Sequence, residues 1–218
     1  MAVVGTSMTA FDDRTDAGER LAAELERRGL EVEVVLGIPR GALPVARPVA
    51  DALEADLDVV VARKMGAPNN PELALGAVAS DGSVWYNDDL VDRLDVSETY
   101  LEEIREEEAE NARKKADRYR DSEELPDLED ERVVVVDDGV ATGATANACL
   151  RQVREAGAAF VALAVPVGSP RSIAELEDEA DEVIALRTPE NFRAVGQFYR
   201  DFGQVTDQEA IGYLEGDG

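Results

Sequence analysis

The stretch 133–145 constrains the fold more than any other part of this 218-residue chain. It reads VVVVDDGVATGAT, so four consecutive β-branched residues precede two adjacent aspartates. Such an uninterrupted apolar run is typical of a strand that is buried on both faces in a parallel sheet. A turn of small residues follows the aspartates, and a helical pattern begins near Ala144. The stretch therefore predicts a strand, an acidic pair, a tight loop and a helix N-terminus in succession.

This order of elements suits a sugar phosphate. Ligands in open α/β sheets bind at the carboxyl ends of strands, and a helix N-terminus offers unpaired backbone N–H groups to an anion. Gly143 lets the backbone approach a ligand closely, and Thr142 and Thr145 offer hydroxyl donors. The two carboxylates would repel a phosphate, but they suit sugar hydroxyls or a divalent cation. Together these features indicate a ribose 5-phosphate.

These residues resemble the signature of the type I phosphoribosyltransferases, the family that uses phosphoribosyl pyrophosphate (PRPP). In that signature a four-residue hydrophobic strand and an acidic pair precede a Thr/Gly-rich phosphate loop. Gly139 departs from it, because the family usually has an aliphatic or small polar residue there. The resemblance implies that Asp137 and Asp138 are catalytic residues that hold the ribose hydroxyls and Mg²⁺, the one cofactor expected. The implied ribose-phosphate-binding loop consists of Val140, Ala141, Thr142, Gly143, Ala144 and Thr145.

A second loop follows the first predicted core strand, residues 32–36. It reads GIPRGALP at 37–44 and offers backbone groups and a guanidinium at the same sheet edge as the acidic pair. In the resembling family this loop contacts pyrophosphate, often through a cis peptide, which implicates Pro39, Arg40 and Gly41. The alternative is that Arg40 is a solvated loop charge.

Two adjacent cations, Arg63 and Lys64, follow the second predicted strand, residues 57–62. Lysine is scarce, since Lys64, Lys114 and Lys115 are the only three in the chain, and so the cation pair indicates an anionic ligand. We predict that both residues contact pyrophosphate and that Lys64 is catalytic. Salt bridges to surface carboxylates are the alternative.

Residues 65–88 are predicted to form a flexible loop that contains a hairpin. Gly, Pro and Asn dominate 66–71, which is typical of a mobile loop, and Asp81-Gly82 is a strong hairpin signal. The resembling family has a flexible two-stranded loop here that closes over the substrate and excludes water. Trp85 is expected to pack rather than to stack on a ligand.

Helical patterns precede and follow these elements. One helix is predicted to begin after a cap at Thr15 or Asp16 and to end at Gly29. Asp12 and Arg14 lie just before it and are predicted to be surface residues. The alternative is a role at the edge of the site, because uncharacterised proteins of the resembling family have a similar Phe-x-Asp-Arg-x-x-Ala-Gly opening.

A helical insertion is predicted at 95–131, with one highly charged helix over 95–120. Asp95 and Glu98 fit a capping box at its start. Its narrow apolar stripe suits a surface helix or a subunit contact, and no active-site role is predicted.

The tail, residues 188–218, has four aromatic residues in its first part, 188–209: Phe192, Phe198, Tyr199 and Phe202. In the resembling family, elements outside the core form a hood that selects the nucleophile, so an aromatic ring there can stack on a base. The alternative, which we favour, is that these rings fix the tail to the core. Arg200 and Asp201 are candidate selectors.

Strands and helices alternate between residues 32 and 187. This predicts an α/β fold, a doubly wound and mainly parallel five-stranded sheet. We expect a single domain over 1–218, with the flexible hairpin loop and a small hood around this core, and a homodimer.

The charge of the chain is strongly negative. Its 48 acidic and 22 basic residues give a net charge of −26, which repels nucleic acid and anionic lipid. The acidity is spread along the sequence, which favours adaptation to a high-salt cytoplasm over a clustered face for a basic partner.

The chain has no histidine, which excludes a His-ligated zinc site and a His general base, and its one cysteine, Cys149, excludes an intrachain disulfide. No apolar run approaches membrane-spanning length and no signal peptide opens the chain, so we expect a cytoplasmic protein.

The preferred function is transfer of ribose 5-phosphate from PRPP to an unidentified nitrogenous base, with release of pyrophosphate and dependence on Mg²⁺. One alternative is a regulatory protein that binds PRPP or a nucleotide without turnover. A phosphoester hydrolase on the same sheet is disfavoured, because the chain lacks histidine and a nucleophile elbow.

Overall fold

The computed structural model describes residues 10–120 and 125–216, so parts of the predicted domain lie outside the described residues. Five parallel strands form its central sheet: β1 (Val34–Gly37), β2 (Asp56–Val59), β6 (Arg132–Val136), β7 (Phe160–Val167) and β8 (Glu182–Arg187). Their order is β2-β1-β6-β7-β8. The predicted α/β fold with a mainly parallel five-stranded sheet is therefore confirmed.

Helices cover both faces of this sheet. They are α1 (Arg14–Arg28) and α2 (Leu43–Leu53) on one face, and α5 (Ala144–Glu155) and α6 (Pro170–Leu176) on the other. The valines of β6 alternate, with Val134 and Val136 packing towards α1 and α2, and Val133 and Val135 towards α5 and α6. All four are fully buried, which explains the unbroken apolar run.

The strand register places two loops side by side. Gly37 at the end of β1 lies opposite Val136 at the end of β6 and opposite Val59 in β2. The amide of Ile38 continues the pairing by donating to the carbonyl of Val136 at 3.0 Å. The acidic pair and the loop after β1 therefore leave the sheet at the same edge.

A second, antiparallel sheet consists of β3 (Ala62–Ala67), β4 (Asn70–Ala79) and β5 (Val84–Tyr86). The predicted strand over 57–62 is wrong at its end, because β2 stops at Val59 and Ala62 already belongs to β3. Arg63 and Lys64 thus lie within β3. Residues 59–62 are all buried, so the apolar run continues where the chain passes from β2 to β3. The sequence therefore gives no signal for the point at which the chain leaves the main sheet.

Residues 66–71, predicted as a mobile loop, form the end of the hairpin between β3 and β4. Gly66 pairs with β4, and a Cβ on it would lie 2.8 Å from Cα of Pro71, so glycine permits this close strand contact. The hydroxyl of Tyr100 also donates to the carbonyl of Gly66 at 2.9 Å. The predicted hairpin at Asp81-Gly82 is confirmed, and Trp85 packs against the core.

The helix predicted over 95–120 corresponds to α4 (Glu98–Ala116), and a separate short helix that was not predicted, α3 (Asp88–Leu94), precedes it. The predicted capping box is wrong, because Asp95 ends α3 in a left-handed conformation and Ser97 caps α4 by accepting from the amide of Tyr100. Residues 121–124 of the predicted insertion lie outside the described residues. Helix α1 likewise begins earlier than predicted, with Asp13 as its cap, while Gly29 ends it as predicted.

The tail adds a 3-10 turn (Val195–Phe198) and helix α7 (Asp207–Glu215). Its aromatic residues pack together with the start of α1 and the end of β7; the cluster includes Phe11, Ala17, Val167, Phe192, Phe198, Tyr199 and Phe202. The structure thus agrees with the packing alternative for these rings.

The contact between α1 and α2 provides a stability test. A Cβ on Gly18 would lie 2.6 Å from the backbone oxygen of Val45, so Gly18→Ala forces the two helices apart. We expect it to lower the free energy of unfolding by about 1–3 kcal/mol in urea titrations. Gly212→Ala in α7 is the control, because no atom lies within 4 Å of that Cβ. It should leave stability unchanged or raise it by up to about 1 kcal/mol, since alanine is the better helix former; equal losses in both variants would contradict the packing argument.

Candidate active site

A cavity of about 810 Å³ lies at the edge of the main sheet where β1 and β6 end. The predicted site residues on its wall are Pro39, Arg40, Gly41, Arg63, Lys64, Asp137, Asp138 and Thr145. They come from the loops after β1 and β6, from β3 and from the start of α5. The fold thus brings the predicted acidic and basic groups to one cavity.

The acidic pair is held by contacts from three parts of the chain. The amide of Asp138 donates to Oδ1 of Asp137 at 2.9 Å, and Nε of Arg14 lies 2.7 Å from Oδ2 of Asp138. The hydroxyl of Tyr199 donates to the backbone carbonyl of Asp138 at 2.6 Å. A Cβ on Gly41 would lie 2.5 Å from Oδ2 of Asp138, so only glycine fits at this point of the facing loop.

Burial makes both carboxylates harder to ionise. It raises the pKa of Asp137 well above its ordinary value, and the neighbouring charge of Asp138 raises it further. Burial also raises the pKa of Asp138, although the guanidinium of Arg14 opposes this shift. Asp137 therefore gains most from a ligand that supplies hydroxyl donors or positive charge.

The loop after the acidic pair has free backbone donors. Among the described residues, no amide of 141–145 donates a hydrogen bond, and Gly143 has a left-handed φ of 75°. The amide of Val140, in contrast, donates to the carbonyl of Val167 at 2.9 Å, and its side chain is buried, so Val140 does not contribute a free donor. Consecutive free amides at a helix N-terminus form an anion-binding cradle.

The segment between β7 and α6 fixes the loop 141–145 through hydrogen bonds to its first residue. Hydroxyls of Ser169 and Ser172 donate to the carbonyl of Ala141 at 3.0 and 2.7 Å. This carbonyl therefore points away from the free amides of the loop. A loop fixed in this way loses little conformational entropy when an anion binds.

The cations of the cavity differ in their partners. Arg40 pairs with Asp207 at 3.4 Å and Arg63 pairs with Glu108 at 3.0 Å, so the salt-bridge alternative applies to the two arginines. Lys64 has no carboxylate within 4.0 Å in the described part of the chain. The peptide bond between Pro39 and Arg40 is cis, as the resemblance suggested for this loop.

Arg14 is a site residue, for which the sequence favoured a surface position and left a role at the site edge as the alternative. Its predicted surface position is wrong: the side chain is only 11% exposed, and besides Asp138 it contacts the carbonyl of Gly203 at 2.7 Å. Its guanidinium also lies over the ring of Phe202, with Cζ 3.8 Å from the ring centroid. Asp12, as predicted, is exposed and pairs with Arg200 on the surface.

Helix α4 also contributes to the cavity, although no active-site role was predicted for it. Tyr100, Ile104, Glu108 and Lys115 line the wall, and Nζ of Lys115 donates to the carbonyl of Pro39 at 2.6 Å. Burial lowers the pKa of Lys115, and the charge of Arg63 lowers it further. The scarcity of lysine, which indicated an anionic ligand near Lys64, was the one signal in the sequence that also applied to Lys115.

The tail closes one end of the cavity. Its wall there includes Val195, Phe202, Gln204 and Val205. The candidate selectors are elsewhere, because Arg200 forms its exposed pair with Asp12 and Asp201 is not on the wall. Their prediction as selectors is therefore wrong.

The acidic pair offers two carboxylates for the predicted Mg²⁺. No group of three or more His, Cys, Asp or Glu side chains that could hold a metal occurs in residues 10–120 and 125–216. Two carboxylates suit Mg²⁺ where water and substrate phosphates complete its coordination, so the residues fit a metal that arrives with its substrate. Within the same ranges, no helix is long and apolar enough to cross a membrane.

The family of this chain follows from its similarity to known proteins. The phosphoribosyl transferase domain family matches residues 7–202. The chain belongs to the phosphoribosyl transferase family. Two curated relatives from Mycobacterium tuberculosis, strains CDC 1551 and H37Rv, are provisionally named phosphoribosyl transferases and are each 43% identical over 208 residues, 95% of this chain.

A solved structure gives the same result for the fold. The crystal structure of TT1426 from Thermus thermophilus is 44% identical and has a TM-score of 0.80, and the match covers 94% of this chain and 98% of that one. The chain spans about half the length of the curated relatives, since the match covers 47% of each. The chain thus shares the fold of TT1426 over nearly its whole length.

Gly139, the departure from the phosphoribosyl transferase signature, has a structural reason. A Cβ at this position would lie 2.6 Å from Cγ1 of Val195 and 3.0 Å from Cγ1 of Val167. The glycine therefore makes room for the tail, which packs directly against the acidic pair.

Proposed function

We propose that this chain is a Mg²⁺-dependent phosphoribosyltransferase that moves ribose 5-phosphate from PRPP to a nitrogenous base and releases pyrophosphate. The free amides of 141–145, placed directly after the acidic pair, carry this proposal. They supply donors for a phosphate next to carboxylates that supply acceptors for sugar hydroxyls. Of this loop Thr145 lines the cavity, together with the two carboxylates and the cations.

The sugar end is assigned to the loop and the acidic pair. Thr142 and Thr145 add hydroxyls to the amide cradle for the 5-phosphate. Asp137 and Asp138 accept hydrogen bonds from the two ribose hydroxyls, which also stabilise the ionised forms of these buried carboxylates. Mg²⁺, when bound, neutralises charge on the pyrophosphate as it leaves.

The pyrophosphate end is assigned to Arg40, Arg63 and Lys64, with backbone groups of Pro39 and Gly41. Lys64 has no carboxylate partner among the described residues and is the readily available cation. Arg40 and Arg63 must exchange Asp207 and Glu108 for phosphate oxygens. Exposed ion pairs of this kind contribute about 0–1 kcal/mol, so the exchange opposes binding only weakly.

In the proposed reaction a nitrogen lone pair of the base forms a bond to C1 of the ribose. The bond from C1 to oxygen breaks and its electron pair leaves on pyrophosphate. A nucleophilic nitrogen that carries a proton loses it to solvent, whereas a pyridine-type nitrogen has none to lose and becomes cationic. The transition state has oxocarbenium character, so it needs positioned charges rather than a nucleophilic side chain. This requirement agrees with a site that has carboxylates and cations in a chain without histidine.

The acceptor base is assigned to the end of the cavity that the tail closes. One face of Phe202 is already covered by Arg14, and the ring also contacts Tyr199, with centroids 4.9 Å apart. Phe202 is therefore a poor platform for stacking a base. Gln204, whose amide can both donate and accept, is the better candidate for recognition of a base edge.

Calorimetric titration of PRPP with Mg²⁺ in molar KCl, followed by a screen of bases for pyrophosphate release, tests the proposal. We expect binding and, with one class of base, release of pyrophosphate. Binding without release for any purine, pyrimidine or nicotinate-type base would favour the regulatory alternative. Absence of PRPP binding would contradict the transferase and any regulatory role through PRPP, and would leave only a regulatory protein that binds a nucleotide.

A further inference from the structure

We propose that Lys115 binds pyrophosphate directly, as an additional residue of the pyrophosphate end of the cavity. This inference rests on the proposed function and adds to it a residue from helix α4, which the 133–145 signature does not contain. The geometry, the charge environment and the free donors of the ammonium group each support it.

The position of Lys115 is the first argument. It lies in the last turn of α4, and its Nζ reaches the carbonyl of Pro39 at 2.6 Å, in the loop after β1. The side chain lines the same cavity as Arg40, Lys64 and Asp137. A phosphate group that contacts Arg40 and Lys64 is therefore on the same wall as this ammonium group.

The hydrogen bonds of the ammonium group are the second argument. An ammonium has three donors, and in the described residues the carbonyl of Pro39 is the one acceptor that Lys115 contacts. Two donors remain for a ligand in the cavity. Lys115 is partly buried, and an ammonium that has lost part of its hydration is favoured by a charged partner, which phosphate oxygens supply.

The charge environment is the third argument, and the neighbouring residue provides the comparison. Lys114 is 64% exposed and pairs with Glu110 at 3.3 Å on the surface of α4. Lys115 has no carboxylate within 4.0 Å in 10–120 and 125–216, although the chain carries 48 acidic residues. A favourable interaction with the C-terminal end of the helix is available to both lysines, so it does not explain why one of them points into the cavity.

Two variants of Lys115 separate ligand binding from support of the loop. Lys115→Met removes both the charge and the hydrogen bond to Pro39. Lys115→Gln keeps an N–H donor for that carbonyl but has no charge. Lys114→Met is the matched control, because it removes the adjacent lysine without changing the cavity wall.

Calorimetry measures the affinity of each variant for Mg²⁺–pyrophosphate and, separately, for ribose 5-phosphate, in molar KCl. We expect both Lys115 variants to bind pyrophosphate roughly 10- to 100-fold more weakly, because each loses hydrogen bonds to a charged group. Their affinity for ribose 5-phosphate should stay within about twofold of the wild type, since that ligand occupies the amide cradle. The Lys114 variant should match the wild type for both ligands.

The outcomes distinguish this inference from the proposed function. Unchanged pyrophosphate affinity in Lys115→Met overturns the inference and leaves the proposed function in place. Wild-type pyrophosphate affinity in Lys115→Gln, with loss in Lys115→Met, assigns Lys115 to support of the Pro39 loop and also overturns it. Equal loss of both ligands in both variants shows a purely structural role, and a wild type that binds neither ligand contradicts the proposed function itself.

Discussion

Replacing Asp137 and Asp138 together by asparagine is expected to abolish binding of PRPP and ribose 5-phosphate while the chain stays folded. Each carboxylate accepts a hydrogen bond from a ribose hydroxyl in the proposed complex. Hydrogen bonds to charged groups contribute about 1.5–3 kcal/mol each, so the double change should weaken binding roughly 100- to 10,000-fold. Calorimetric titration in molar KCl measures the loss.

The single variant Asp137→Asn should show a second effect, on stability. Burial raises the pKa of Asp137 above the value of 3.8 that it has in an unfolded chain. The folded state therefore holds this proton more tightly, and the wild type loses stability as the pH rises from the unfolded pKa through the folded pKa. Asparagine has no such proton, so the variant should be more stable than the wild type above this window, with the difference vanishing at lower pH.

Urea unfolding with EDTA at several pH values checks this effect without a bound metal. Asp178→Asn is the matched control, because Asp178 is exposed and forms no side-chain hydrogen bond within the described residues. A variant of Asp137 that binds ribose 5-phosphate as tightly as the wild type would defeat the assignment of the acidic pair. Loss of binding together with loss of stability would point to misfolding instead.

The centre of this site was predictable because its signal is local in the chain. The valines of β6, the aspartates that follow and the small loop residues are contiguous, and each residue type matches the local structure that it forms. The buried strand, the sheet edge and the helix N-terminus follow from side-chain periodicity and glycine geometry. The same reasoning located the loop with Pro39 and Arg40, whose strand lies next to β6.

The contacts that complete the site could not be predicted, because they join distant parts of the chain. Arg14 is 124 residues from Asp138, and Lys115 is 76 residues from Pro39. Each belongs to a helix whose charged sequence is equally consistent with full exposure. The orientation of one arginine or lysine depends on how the helix packs, which a single sequence does not specify.

The glycine at 139 is an instructive case. The sequence shows only that glycine stands where the family usually has an aliphatic or small polar residue. The structure shows the compensation, because Val195 of the tail fills the space next to it. A larger residue at 139 would need a smaller one at 195, and nothing in the local sequence of either position reveals this contact.

The charge of the whole chain leads to the prediction with the broadest effect. We infer that the net charge of −26 is an adaptation to high salt, and we expect the protein to unfold in dilute buffer and to be stabilised by molar KCl. The Debye length is about 30 Å at 0.01 M salt, so repulsion between charges acts across most of a domain of this size. It is about 3 Å at 1 M salt, where only neighbouring charges repel each other. Thermal unfolding followed by circular dichroism over KCl concentrations from the dilute to the molar range should show a midpoint that rises steeply and then levels off.

A charge variant separates screening from other effects of salt. Glu103, Glu106 and Glu107 lie on the exposed side of α4 and form no ion pair among the described residues. Changing all three to glutamine reduces repulsion without removing a contact, so the variant should reach its half-maximal stabilisation at lower KCl than the wild type. If salt acted mainly through stronger burial of apolar surface, both proteins would respond in parallel. A wild type that is as stable in dilute buffer as in molar KCl would contradict the adaptation, because its stability would then not depend on screening of the acidic side chains.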